Sequence, residues 1–187
     1  MNKVLWIDVE TTGLDKDKHG LIQLAYIYEE DGEIKETDSI VAGLFEDDIV
    51  DLRALEINGV NPIILNQYPS PHKSFNKFLS FLNKKVSVED YKDKVTIVGY
   101  NTQFDIGFLR KWFEKNNNNV FDKYFNRKYI DIMQMAVYLN YIKKINTINN
   151  KLITLCDYFN IELNPHDAMN DIKATYELSE NIKDLVK

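Results

Sequence analysis

The feature that most restricts this chain is its first predicted strand. Residues 3 to 9, KVLWIDV, form a short apolar run rich in β-branched and aromatic side chains, readable as a buried strand that opens directly into the polar segment TTGLDKDKHG. Asp8 and Glu10 close that strand, and strand alternation sends residues two apart to the same face. Two like charges held there repel unless a cation sits between them. A solvated pair at a strand end is the plain alternative, and with 29 acidic residues in 187 a D-x-E triplet is expected by chance. A second triplet, Asp31-Gly32-Glu33, falls in a predicted turn, where no such pairing is forced.

The remaining pattern divides the chain into two halves. Residues 21 to 29 (LIQLAYIYE) read as a second strand, EEDGE as a turn whose Asp31-Gly32 pair suits a hairpin, and EIKETDSIV as a returning third strand. The chain thus begins as an antiparallel meander. After Ser70-Pro71 the period changes: Phe75, Phe78, Leu79 and Leu82 recur at helical spacing. VTIVG (95 to 99) is another short buried strand. It leads into a helix from about residue 106, with Leu109, Trp112 and Phe113 on one face, stopped by the asparagine run at 116 to 119. MQMAVYL, LITLCDYF and a closing segment from about Ala168 to Leu185 complete an α-rich second half.

Two further fragments carry chemistry. Asp105, in NTQFD, follows VTIVG, so it emerges at a strand end and approaches the first strand if the two are adjacent and parallel. Capping the next helix is its other reading. The same N-x-x-F-D pattern at Asn118 to Asp122 follows the asparagine loop and reads as incidental. The last fragment is HDAMND. His166 and Asp171 stand five residues apart, about 140° on an ideal helix, so they would diverge if both were helical. Pro165 favours an extended entry that leaves His166 ahead of the helix, Asp171 in its first turns and Asp167 as the cap. Neither His19 nor His72 has an aspartate at that spacing. A surface histidine near a helix start is the alternative.

Chance accounts for any one fragment but hardly for all three in this order, each at a predicted element boundary. Asp8, Glu10, Asp105, Asp171 and His166 together specify an oxygen-rich site for two divalent cations beside one titratable imidazole, which is equipment for hydrolysing a phosphodiester. A net charge of -6 argues against wrapping long duplex, since that binding draws on many lysine and arginine contacts to phosphate. It does not exclude an enzyme that grips a chain end through cations, whose affinity would depend only weakly on salt. With 44% hydrophobic residues the expectation is one globular domain over 1–187. No apolar run approaches a membrane span and no leader peptide is legible, so a cytoplasmic protein with no membrane partner is expected. The single cysteine, Cys156, reads as a buried reduced thiol.

On these motifs the sequence resembles the DEDDh family of 3′-to-5′ exonucleases, which includes the proofreading subunit of bacterial replicative DNA polymerase III. DVETTGL resembles the family's first motif, GYNTQFDIGFL the second and HDAMNDIKAT the third, with ALEINGV (54 to 60) and YIDIMQMA (129 to 136) similar to intervening segments. The resemblance implies an α/β ribonuclease-H-like fold: a mixed five-stranded sheet, three antiparallel strands then two parallel ones, with helices on both faces. It implies two Mg²⁺ or Mn²⁺ ions, with Asp8 bridging them, Glu10 and Asp171 on the nucleophile side and Asp105 on the other. His166 would be the general base, and 5′-mononucleotides would leave from a 3′ end.

The same resemblance nominates Thr11, Thr12, Gly13 and Leu14, and less directly Ile57, Asn101 and Phe104, as contacts to the terminal nucleotide. Core packing is the other reading of Leu14, Ile57 and Phe104, and turn-shaping that of Thr11 and Thr12. Tyr100, Gln23 and Asn58 depart from common family residues, leaving the five core positions intact. The partner is then a nucleic acid 3′ end, with DNA slightly preferred and RNA trimming as the alternative, and proofreading would need a DNA polymerase partner. A non-catalytic binding module and a structural calcium site are the readings from other classes.

Overall fold

The computed structural model describes residues 2–165 and 167–186. Among them the chain forms β1 (Lys3–Thr11), β2 (Leu21–Glu30), β3 (Glu33–Val41), α1 (Leu52–Ile57), α2 (Pro62–Leu65), α3 (Pro71–Lys85), β4 (Thr96–Gly99), α4 (Thr102–Lys115), α5 (Phe121–Tyr124), β5 (Ile130–Asp131), α6 (Ile132–Tyr141), α7 (Leu152–Phe159) and α8 (Ala168–Leu185). The five strands form one sheet in the order β3-β2-β1-β4-β5. β1, β2 and β3 pair antiparallel, while β4 pairs parallel to β1 and β5 parallel to β4. This is the mixed α/β architecture that the motifs implied.

The hairpin between β2 and β3 turns where the Asp31-Gly32 pair predicts. Both residues take positive φ, 52° and 84°, as a tight primed turn requires. The decoy acidic triplet is therefore turn chemistry, with Asp31 Oδ1 accepting from the Asn2 amide at 2.8 Å.

β1 is central, and its alternation sorts the two cores. Leu5, Ile7 and Val9 join one apolar cluster with Phe75, Phe78 and Leu82 of α3 and with Leu109, Trp112 and Phe113 of α4. Val4 and Trp6 join another with residues of α6, α7 and α8. Each fully buried aromatic or aliphatic side chain contributes about 1.5–3 kcal/mol, so covering both faces locks β1 in register. The consequence for the acids is direct: Asp8 and Glu10 continue the Val4–Trp6 row, the face covered by α8.

α4 starts at Thr102, four residues before the expected start. Asn101 adopts the left-handed conformation (φ 59°, ψ 43°), which asparagine tolerates, so the chain turns from β4 into the helix with no extended linker. The turn depends on a close approach at Gly99, where a Cβ would lie 2.9 Å from the Ile7 carbonyl oxygen. Gly99→Ala is expected to cost about 1–3 kcal/mol by pushing β4 from β1, read as a lower urea midpoint. An unchanged midpoint would show that the two strands have slack.

Cys156 is fully buried and reduced, and burial pushes its thiol up to about 11. No helix among the described residues is long and apolar enough to cross a membrane.

Candidate active site

The carboxylates meet where β1 outruns its parallel neighbour. On the α8 face, Asp8 and Glu10 point toward the first turn of α8. That turn is fixed by Asp167, whose Oδ1 accepts from the amides of Met169 (2.8 Å) and Asn170 (3.2 Å), the capping role that the sequence assigns it. The capped turn presents Asp171. Asp8, Glu10 and Asp171 each offer an oxygen, all within 4.8 Å of one another.

Asp105 arrives from the opposite layer. It sits in the first turn of α4, which packs on the Leu5–Val9 face, and it does not cap the helix. Because β4 stops at Gly99, the Val9 amide has no strand partner on that edge, and Asp105 Oδ1 accepts from it at 3.0 Å. This buried carboxylate is thereby seated on the backbone between Asp8 and Glu10, with 3% of its surface exposed. His166 lies outside the described residues. The second N-x-x-F-D copy is unrelated to the site: Asp122 is exposed and pairs with Arg110 at 3.0 Å.

Crowding these acids raises their proton affinity. Burial pushes Glu10 up to about 7, helped by the charges of Asp171 and Asp167. Asp8 is held well above the ordinary carboxylate range, first by burial and then by Asp105, Glu10 and Asp171. Burial also raises Asp105, the Val9 hydrogen bond opposing it and the charge of Asp131 adding to it. An all-oxygen donor set whose members repel one another fits a hard divalent cation, and neither thiolate nor a described imidazole belongs to it.

The loop after β1 is built from its own side chains. Thr11 Oγ1 donates to the Gly13 carbonyl (2.7 Å), and Thr12 Oγ1 donates to the Ile49 carbonyl (2.6 Å) while accepting from the Gly20 amide (2.9 Å). Both hydroxyls therefore shape the turn. Gly13 is required for packing, since a Cβ there would lie 2.4 Å from the His19 ring. Leu14 is 86% exposed, so it does not serve the core. With Phe104 and Gln103 it borders an open groove of about 600 Å³. Phe104 is partly buried against Phe108, ring centroids 4.9 Å apart. Ile57 is exposed at the end of α1, and the next residue, Asn58, donates from Nδ2 to the Thr11 carbonyl at 3.0 Å. Asn58 thus ties α1 to the end of β1. Gln23 stands directly across from Glu10 on β2 and adds no charge to it.

One contributor was not visible in the sequence. Asp131 Oδ1 accepts from the Asn101 amide (3.0 Å) and from the Met133 amide (3.0 Å), so a single carboxylate caps α6 and holds the β4–α4 turn. An aspartate just ahead of an apolar helical run was the available signal.

The exonuclease family model matches residues 5–179. The PolC-type DNA polymerase III of Bacillus cereus is 30% identical over 96% of this chain, and that of Bacillus subtilis 29% over 95%. The chain spans 11% of the length of each of these relatives. Escherichia coli exonuclease I in complex with a dT13 oligonucleotide superposes with a TM-score of 0.81 at 21% identity, covering 98% of this chain and 41% of that one. The zinc-bound form of its complex with single-stranded DNA gives 0.81 at 22% identity, again over 98% and 41%.

Proposed function

The chain belongs to the exonuclease family, and on that footing we propose that it removes 5′-mononucleotides from the 3′ end of single-stranded DNA. The observation that carries this reading is the convergence of Asp8, Glu10 and Asp171 within 4.8 Å at the end of a buried strand. The family uses divalent metal ions. Here Asp8, Glu10, Asp171 and Asp105 would hold two of them, Mg²⁺ or Mn²⁺. Bound there, they would supply Lewis-acid stabilisation of the charge that builds on the phosphate and leaving oxygen.

The chain's own residues do the rest. Leu14 and Phe104, which flank one groove, would seat the terminal base, with Asn101 and Ile57 as further contacts to that nucleotide. Thr11, Thr12 and Gly13 hold the backbone of that seat in place. His166 takes the proton of the attacking water as its oxygen bonds to phosphorus and the bond to the 3′ oxygen breaks. The preference for DNA and for a polymerase as partner draws support from the PolC-type relatives.

The test offers matched DNA and RNA oligonucleotides labelled at the 5′ end, with magnesium and then with chelator. A descending ladder on DNA that chelator abolishes is expected. Internal cuts, or a ladder from the 5′ side, would overturn the reading, and faster trimming of RNA would reassign the substrate.

A further inference from the structure

The outer edge of the sheet, away from the acids, carries the opposite charge. Residues 126–130, Asn-Arg-Lys-Tyr-Ile, are exposed along the edge leading into β5. With Thr96 they border an open groove of about 310 Å³. Its floor is fixed at both ends. Asn126 donates through Nδ2 to Thr96 Oγ1 (2.9 Å) and through its amide to the Val95 carbonyl (2.9 Å), and the Ile130 carbonyl accepts from buried Thr102 Oγ1 at 3.0 Å.

The cations of this groove are not consumed internally. Nearby, Arg110 pairs with the Asp122 carboxylate at 3.0 Å and Lys94 donates to the Asp122 carbonyl at 2.5 Å. Among the described residues, the side chains of Arg127 and Lys128 enter no hydrogen bond or ion pair, and Tyr129 enters no ring contact. Arg127 acts on Asp122 only at longer range, helping to lower its proton affinity. Tyr129 is 40% exposed and Ile130 43%. A solvated charged edge is the ordinary explanation of two neighbouring cations beside an exposed ring.

Position argues for more. Ile130 and Asp131 pair with Val98 and Gly99, and Asp131 both accepts from the Asn101 amide and acts on Asp105. The segment thus runs from the edge of the acidic site down to Thr96, three strand residues away, or roughly 10 Å at ~3.3 Å per residue. Thr96 pairs with Val4, so Asp8 lies four strand residues further along and the β5 edge two strands across. That is roughly 16 Å in all at ~3.3 Å per residue and ~4.8 Å per strand, so a strand with its 3′ end at Asp8 would meet this edge with phosphates a few nucleotides upstream. Two cations next to an exposed aromatic ring form a surface that single-stranded nucleic acid fits, phosphate to cation and base to ring.

We propose that Arg127, Lys128 and Tyr129 form an upstream track for single-stranded DNA, holding the nucleotides 5′ of the one being cleaved. The track rests on the exonuclease reading for its direction, though not for its charge. Substrates that reach it should gain from it, and shorter ones should not.

The test compares wild type with R127Q/K128Q and with Y129A on a trinucleotide and a fifteen-nucleotide oligothymidylate. For the double variant, kcat/KM on the long substrate is expected to fall about tenfold and its salt slope to flatten by about 1.4, since each single-strand phosphate contact contributes ~0.7. Y129A is expected on its own to lower kcat/KM on the long substrate by a factor of about ten, the loss of one stacked base. The trinucleotide should be cut equally by all three. Equal losses on both lengths, or none on either, would overturn the track.

Fluorescence anisotropy of the labelled fifteen-mer in calcium reads the same contacts without turnover. Charge-dependent binding by a wild type that cuts neither oligonucleotide would sink the exonuclease reading and leave the track standing. Displacement of the fifteen-mer by an oligoglutamate as readily as by unlabelled oligothymidylate would show that the edge reads charge alone, and the track would fall.

Discussion

Replacing Asp8 with asparagine is expected to lower nucleotide release by at least about 10³-fold while making the metal-free protein more stable at neutral pH. The two effects share one cause. Burial, and then the charges of Asp105, Glu10 and Asp171 that crowd it, raise the proton affinity of Asp8. An amide of the same shape removes the repulsion and also a donor that a cation needs. A residue that merely supported the fold would lose stability on this change. Thermal melting in chelator and a labelled-oligonucleotide assay in magnesium together decide: a destabilised but active Asp8→Asn protein would remove Asp8 from the site. His166→Ala belongs beside it, with an expected loss of about 10²–10⁴ in kcat for a missing general base, and undiminished turnover would free the histidine from that role.

The second large effect is a dependence of metal-free stability on pH that runs opposite to the usual behaviour of a folded carboxylate. Glu10 titrates near 4.5 when unfolded and about 7 when folded. Below the lower value both states hold the proton. Between the two, the unfolded chain releases it and the folded chain does not, so stability falls as pH rises and the loss is complete above about 7. For Glu10 alone this amounts to about 3 kcal/mol, or roughly 6–12 °C in Tm for a domain of this size. Because the buried carboxyls of Asp8 and Asp105 are also raised and push the same way, the clean measurement is the difference between wild type and Glu10→Gln across that range. Manganese or magnesium at about a hundred times its dissociation constant should restore about 2.7 kcal/mol at pH 8 and little at pH 5. Equal metal stabilisation at both pH values would show that the ion binds elsewhere.

Long periodic segments were the legible part of the fold. The apolar run of β1, the hairpin turn at Asp31-Gly32 and the span of α8 follow from patterns that burial itself imposes. Of the elements of two to six residues, β4 was legible as the apolar run VTIVG, whereas β5, α1 and α2 were not. β5 has only two residues, and α1 and α2 depend on the side-chain caps Asp51 and Asn61 and on a small cluster of Ile22, Leu55 and Leu65. No period can show in so few positions.

The acids divide in the same way. Asp8 and Glu10 owe their common face to strand alternation, and Asp171 its place to a recognisable cap. Asp105 was expected near a strand end, yet it reaches β1 from a helix on the opposite face, because β4 ends early and leaves the Val9 amide to be met. Whether Leu14 is buried or bare was equally invisible, since an apolar side chain reads the same in both settings.

The acids come from three separate layers: β1 supplies two, α4 one from one side of the sheet and α8 one from the other. The hydrogen bond from Val9 to Asp105 alone spans 96 residues of chain. A partly folded copy with one helical layer still detached would lack one of these carboxylates and, on the proposed reading, would hold no cation firmly. On the proposed reading the chemistry would therefore arm itself only at the last stage of assembly, and a nascent or damaged molecule would stay inactive.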